Sequence, residues 1–405
     1  MSTVIKTPAA EVLTTSFVVE CTRGGLAVVE QWRDEWSLLC ADAAEDQPFY
    51  RPEWMTAYLK RYSNGSNIWI ITARRDGQLC LLLPLLEQVG TFNKVPVRKL
   101  HSPVNCFCGR FDAVRVRGTE GDAAVRATWN YLKELAGWDM LQFRYSLEGS
   151  TTEQIVAAAR ADGYLTAKEP EKSNPYIALP NEVDHLKQMP HNSKLRSQLR
   201  QLASRLAEKG TVKFSRIDVA DQEALDRFYK LEASGWKGKM RTCALYDGSK
   251  AFYDEVARAA ARSGYFALYT LELDHRLLAA HFSFVHRGRC YSPKVAYDEE
   301  FKAYAPGHLI ISGILQDCVL RGVHCYDITG EDQPWKMKWA TGTRAINHHS
   351  VFRGALGRLA HTVRFRLRPT MGRLLRPTQQ SACRPAHDSS TYVGFGIHTA
   401  FTWAP

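Results

Sequence analysis

Four side chains in the second half of this 405-residue chain have types that carry proton or charge chemistry. His281 stands in AAHFSF, where strand alternation puts it on the face opposite Phe282. An imidazole titrating near neutrality is suited to accept a proton. Glu232 in LEASGW and Asp327 in YDITG are carboxylates that compete for that role, and Lys336 in PWKMKWA adds an ammonium. A fifth residue, Lys294 in YSPKVAYD, interrupts a strand pattern. A lysine buried there requires an anionic partner, whether a ligand phosphate, a substrate or a carboxylate such as Asp298. Each has a plainer reading too: a packed strand histidine, a capping aspartate, an exposed helix lysine.

These residues flank a stretch whose spacing suits anion binding. The loop EEFKAYAPGH leads into the pattern LIISGILQDCVLRG, with Pro306 in the first turn and Gly322 after the last. Ile310, Ile314 and Cys318, with Ile311, Leu315 and Val319 beside them, make one wide apolar stripe. A helix start attracts anions through its unpaired N–H groups and its dipole. Backbone N–H groups from Ala305 through Gly307 to His308 are the expected cradle, with Lys302 adding charge.

Three extended runs precede the loop: YFALYTLELD, RLLAAHFSFVHRG and RCYSPKVAYD; VHCYDITG follows the helix. This order of elements resembles the acyl-CoA-binding half of GNAT-superfamily acyltransferases. The loop positions Lys302, Ala305 and Gly307 stand where that superfamily has Gln/Arg-x-x-Gly-x-Gly/Ala. LEASGWKGK, AAHFSF, AYDEEFKAYAPGHLI and YDITGEDQPWKMKWA resemble the CelD-type branch, which is associated with cellulose biosynthesis and related to the Fem peptidyltransferases. The resemblance implies acyl transfer from acetyl-CoA or another acyl-CoA to an amine or hydroxyl, in a ternary complex and without a metal. It implies that Lys294, Val295 and Ala296 offer backbone or charge to the pantetheine and carbonyl. Lys302, Ala305, Gly307 and His308 would hold the phosphates, and Lys336 would contact a substrate phosphate. The implied acceptor is small or saccharide-linked, in exopolysaccharide or envelope synthesis. A Fem-like transfer from charged tRNA and a non-enzymatic basic scaffold are the alternatives.

The expected fold is α/β (α+β), with two GNAT-like lobes, each a mainly antiparallel mixed sheet flanked by helices. Residues 26–185 form the first lobe, where NIWIITARR and QLCLLLPLLEQ turn at Asp76-Gly77 as the later hairpin turns at Asp274-His275. Residues 186–350 form the second. Between them SKLRSQLRQLASRLAEKG presents Leu195, Leu199, Leu202 and Leu206 on one side and Lys194, Arg196, Arg200, Arg205 and Lys209 elsewhere. That basic face is either solvated or a guide for an anionic substrate. Residues 1–25 read as a flexible arm and 351–405 as a basic, disordered tail able to touch a membrane or polysaccharide machinery.

The net charge of +11 gathers in that helix and tail, so nucleic acid is not the expected partner. Ten cysteines without metal-type spacing, no membrane-length apolar run and no signal pattern point to a cytoplasmic location.

Overall fold

The computed structural model describes residues 16–63, 65–105, 109–186 and 193–367. Thirteen strands form one sheet. In chain order they are β1 (Val18–Gly24), β2 (Ile68–Arg75), β3 (Gln78–Phe92), β4 (Val95–His101), β5 (Val114–Arg115), β6 (Met140–Leu147) and β7 (Leu165–Ala178). The second half adds β8 (Val212–Ile217), β9 (Phe266–Leu273), β10 (Arg276–His286), β11 (Arg289–Tyr297), β12 (Cys325–Asp327) and β13 (Gly342–Phe352). Their spatial order is β1-β2-β3-β4-β6-β13-β7-β12-β11-β10-β9-β8, with β5 beside β3. Among the described residues only β4–β6 and β11–β12 pair in parallel.

The two halves repeat one plan. Each has an antiparallel meander, then a helix (Gly118–Glu134 or Pro306–Leu320), then a strand returning parallel to the last strand of the meander. Both hairpin turns have positive φ at both central residues, 51° and 78° at Asp76-Gly77 and 46° and 70° at Asp274-His275. Such turns match the twist of the strands they join. The halves are also interleaved: β13 inserts between β6 and β7, and β7 pairs with β12.

One apolar core runs beneath both halves, joining Phe49 and Trp54 to Phe252, Phe284 and Tyr291. A second lies on the opposite face of the C-terminal half, where Ile310, Ile311, Ile314, Leu315, Cys318 and Val319 form the stripe read from sequence. Helix Pro306–Leu320 ends as its glycine predicts. With φ 70° at Gly322, the Gly322 N–H reaches Val319 O and the Val323 N–H reaches Cys318 O. The basic helix Ser193–Ala207 packs Leu195, Leu199 and Leu202 on this core, and Leu206 near Phe301 and Tyr304.

Two expectations at the chain ends need correction. Val18–Gly24, assigned to a flexible arm, is an edge strand paired along its length with β2. Residues 351–367, assigned to a disordered tail, complete β13 and form helix Gly354–Thr362 with a further helical turn, Val363–Leu367. Gly357 and Ala360 are buried there, Phe352 meets His361 and Phe365 edge to face, and those two rings are tilted against each other. Small residues let this helix approach the sheet closely enough to bury apolar surface. Residues 1–15 and 368–405 lie outside the described residues.

Candidate active site

Strands β11 and β12 pair only over Arg289–Tyr291 and Cys325–Asp327. Beyond that point β11 continues to Tyr297 beside β10, while the chain after β12 turns toward β7, where the Ile328 N–H bonds Pro175 O. The strands therefore splay. The Thr329 hydroxyl donates to Ser292 O at 3.0 Å and fixes the vertex. Past it, the Val295 carbonyl accepts from Lys237 Nζ at 2.8 Å.

Two ammonium groups flank this opening. Lys237, in the short helix Trp236–Lys239 that follows helix Gln222–Ser234, sits on the β11 side and also reaches Glu232 Oε1 at 3.1 Å. Lys336 sits on the β12 side. Its Nζ donates to Thr329 O at 2.6 Å and would lie 2.9 Å from a Cβ at Gly330, which stands at φ 66°. Burial lowers the Lys336 pKa to about 8, helped by the charges of Lys172 and Lys237. An amine with that pKa exchanges protons near neutrality.

The other expected residues occupy different settings. His281 is 2 % exposed, with Nδ1 2.9 Å from the Tyr326 hydroxyl. Burial, followed by the Lys237 charge, pushes its pKa down to about 3. Enclosed and with its proton affinity lowered, it lacks the access and basicity expected of a proton acceptor in this conformation. Glu232 is equally buried. Its carboxylate receives Lys294 at 3.0 Å, Lys237, and the Ala244 N–H at 2.9 Å. Burial raises its pKa, but the two lysine charges outweigh that and keep it ionised. A carboxylate stabilised in its charged form is a weak base. Lys294 thus finds its required anionic partner in Glu232; Asp298 pairs with Arg276.

Asp327 is closed off at the seam between the halves. Both its oxygens accept from Arg110 Nη2, at 2.6 and 2.7 Å, and Oδ1 also receives Asn174 Nδ2 and the Thr329 N–H at 3.0 Å each. Burial pushes its pKa up, but Arg110 and these hydrogen bonds hold it below the ordinary carboxylate range. Asp327 anchors the vertex of the splay and lines no open space. Sequence reading passed over Arg110 and Lys237, because nothing local distinguishes either from a surface cation.

The loop Asp298–His308 does not match the expected phosphate cradle. Residues Glu299–Tyr304 coil into a 3₁₀ turn capped by Asp298, and Ala305 is left-handed at φ 51°. The N–H of Phe301 bonds Asp298 O, that of Ala305 bonds Lys302 O, and those of His308 and Leu309 bond Ala305 O. Pro306 has no N–H. Asp298, Glu299 and Glu300 stand at the loop's start, and Lys302 is exposed. His308 Nδ1 accepts from the Trp339 indole at 2.8 Å. A pyrophosphate held by the backbone N–H groups of Ala305 and His308 would have to displace bonds these donors already make to Lys302 O and Ala305 O, while the three acids are paired with Arg276 and Lys239. Among the described residues, no cluster of three or more His, Cys, Asp or Glu is arranged to hold a metal ion. None of their helices is long and apolar enough to cross a membrane.

Residues 193–337 match the acetyltransferase (GNAT) domain Acetyltransf_6. That match supports an acyltransferase in general terms. The crystal structure of FemX superposes over 82 % of this chain and 98 % of its own, with a TM-score of 0.56 and 14 % identity. A conserved protein of unknown function from Bacteroides thetaiotaomicron VPI-5482 superposes over 83 % of this chain and 100 % of its own, with a TM-score of 0.52 and 9 % identity. At these identities the likeness concerns the fold alone. Comparison with curated protein sequences returns no match. The GNAT match covers β8 to β12 and Lys336, and so contains the splay and both lysines that flank it.

Proposed function

We propose that this chain transfers an acyl group from an activated ester or thioester to an amine or hydroxyl acceptor, with the reacting carbonyl lodged in the splay between β11 and β12. The observation that carries this reading is the pair of lysines at that opening, one on the Val295 carbonyl and one on the Thr329 carbonyl. Strand edges freed from pairing offer hydrogen bonds to an extended ligand, and a fixed cation stabilises charge developing on a carbonyl oxygen. Lys336 in its neutral form takes the proton of the attacking nitrogen or oxygen. The new bond to the carbonyl carbon forms as the bond to the donor's leaving sulfur or oxygen breaks, and the proton passes to the leaving group. Lys237, fixed by Glu232, faces the developing oxyanion.

Acetyl-CoA or a longer acyl-CoA is the donor this family resemblance favours. An RNA-borne aminoacyl ester is the second reading, supported by the closed phosphate loop and the basic helix Ser193–Ala207 against it. An acceptor on a saccharide-linked envelope or exopolysaccharide precursor, in the CelD manner, draws on that same basic face. Helix Gly354–Thr362 and the turn after it leave Leu356, Leu359 and Leu367 42–52 % exposed beside Arg358 and Arg366, which supports contact with an anionic membrane surface.

The test is the melting temperature with acetyl-CoA, longer acyl-CoAs and aminoacyl-tRNA, because a ligand of the folded state raises it. Turnover with the stabilising donor should then show kcat/KM rising through about pH 8, as Lys336 loses its proton. Lys336→Met should remove that limb. No stabilisation by any donor would overturn the proposal.

A further inference from the structure

A second set of cations gathers at the other end of β11. The turn Arg287-Gly288, Arg289 at the start of β11 and His324 just before β12 face Ala43–Asp46 and Arg117 of the first half across a cavity of about 180 Å³. Gly288 stands at φ 68°, and a Cβ there would lie 2.5 Å from the His324 ring, so glycine lets the turn close on the imidazole. The His324 N–H donates to Gly288 O at 2.9 Å and holds the two segments together.

The acids in this cavity are largely engaged. Asp46 accepts from Arg51 at 2.6 Å and from His286 Nε2 at 2.8 Å, with Arg287 Nε at 3.3 Å. Glu45 is exposed and accepts from Gln47. The arginines are aimed by backbone: Arg117 Nε donates to Ala43 O at 2.9 Å and Arg287 Nη2 to Ala41 O at 2.6 Å. Among the described residues neither Arg117 nor Arg289 has a carboxylate partner, and Arg289 Nη1 is buried with no hydrogen bond at all. Arg117, Arg287 and Arg289 all line the cavity, and a guanidinium N–H without a carboxylate is satisfied by an anionic acceptor that enters. Several guanidinium forks converging from different directions match the oxygens of a tetrahedral dianion.

We infer that this cavity binds a phosphate dianion, either inorganic phosphate or the phosphate group of a small metabolite, at a site separate from the acyl-transfer cleft. Arg117 and Ala43–Asp46 belong to one half of the chain, and Arg287, Arg289 and His324 to the other. The occupant therefore clamps the halves together.

The probes are inorganic phosphate and glucose 6-phosphate, added to the full chain prepared without phosphate, with sulfate and chloride as controls at matched ionic strength. Calorimetry should give saturable binding of phosphate with a rise in melting temperature that follows its concentration. Arg289→Gln and Arg117→Gln should each weaken binding about tenfold or more, the effect of losing a charged hydrogen bond. Tighter binding of glucose 6-phosphate marks a small phosphorylated metabolite as the ligand; tighter binding of inorganic phosphate marks the free ion. Lys336→Met should leave binding intact, so this result stands apart from the fate of the acyl-transfer reading. Stabilisation equal to that by chloride, or binding that survives both arginine substitutions, overturns the site and leaves an adventitious ion only. Should Arg289→Gln fail to fold, Arg117→Gln decides, because its guanidinium approaches from the other half.

Discussion

Replacing Arg110 by Met should unfold this protein far more readily than any surface change, because Asp327 would be left charged and enclosed. Both side chains are almost wholly buried, 1 % and 0 % exposed, and the guanidinium meets both carboxylate oxygens within 2.7 Å. Removing one partner of such a pair costs about 3–5 kcal/mol. At roughly 2 °C per kcal/mol for a chain larger than ~200 residues, the melting temperature should fall by about 6–10 °C. Asp327→Asn alone should also destabilise, since the arginine then loses its counter-charge. The double variant should recover much of the loss, with a coupling energy of about 2 kcal/mol or more in urea unfolding. The pH dependence follows from the depressed Asp327 pKa. The unfolded state takes up this proton near pH ~3.9, so the pair's contribution is complete above that value. It is lost as pH falls through the lower folded value, and acidification should narrow the gap between wild type and Asp327→Asn. A single-variant loss below about 1 kcal/mol, or a coupling near zero, would refute the claim that this pair joins the halves.

Other substitutions separate roles at the splay. Because His281 is neutral and enclosed, His281→Gln should leave the pH–rate profile without a changed limb between pH 6 and 7 ~ the range of an ordinary imidazole; a lost limb there would restore it as the base. Gly307→Ala should change stability by less than about 0.5 kcal/mol, since its Cβ would meet Tyr297 at an ordinary 3.5 Å, as urea unfolding can check. Gly238→Ala should cost about 1–3 kcal/mol and disturb Lys237, because a Cβ there would lie 1.7 Å from Ala233 O. Co-sedimentation with anionic vesicles should fall when Leu356 and Leu359 become Ser, and unchanged binding would remove that surface from consideration.

What the sequence made legible was local. The helix at Pro306, its stripe and its Gly322 stop depend on residues within one or two turns, and the two hairpins on two-residue turns. The fold class followed from the order of these elements. The site was less legible because its partners are distant in sequence. Lys294 demands an anion, a requirement readable from its place in a strand. The anion it meets is Glu232, on a helix 62 positions earlier. Asp327 meets Arg110 across 217 positions, from a stretch with no periodicity to mark it.

Burial, more than residue type, then decides the chemistry. His281 has the imidazole a base needs, but the cores that make the sheet stable also remove the water that would let it charge. The same desolvation also lowers the pKa of Lys336, with a different outcome. An ammonium in solution holds its proton well above neutrality. Taken into the seam beside Lys172 and Lys237, it releases that proton near pH 8. One physical term thus weakens the imidazole as a base and brings the proposed lysine base toward neutrality. The loop at Lys302–His308 follows similar logic. Its spacing suggested an anion cradle, but the 3₁₀ turn at Glu299–Tyr304 directs the N–H groups to carbonyls within the loop. A pattern of residue types records which donors exist, and only the folded backbone determines which of them remain open to a ligand.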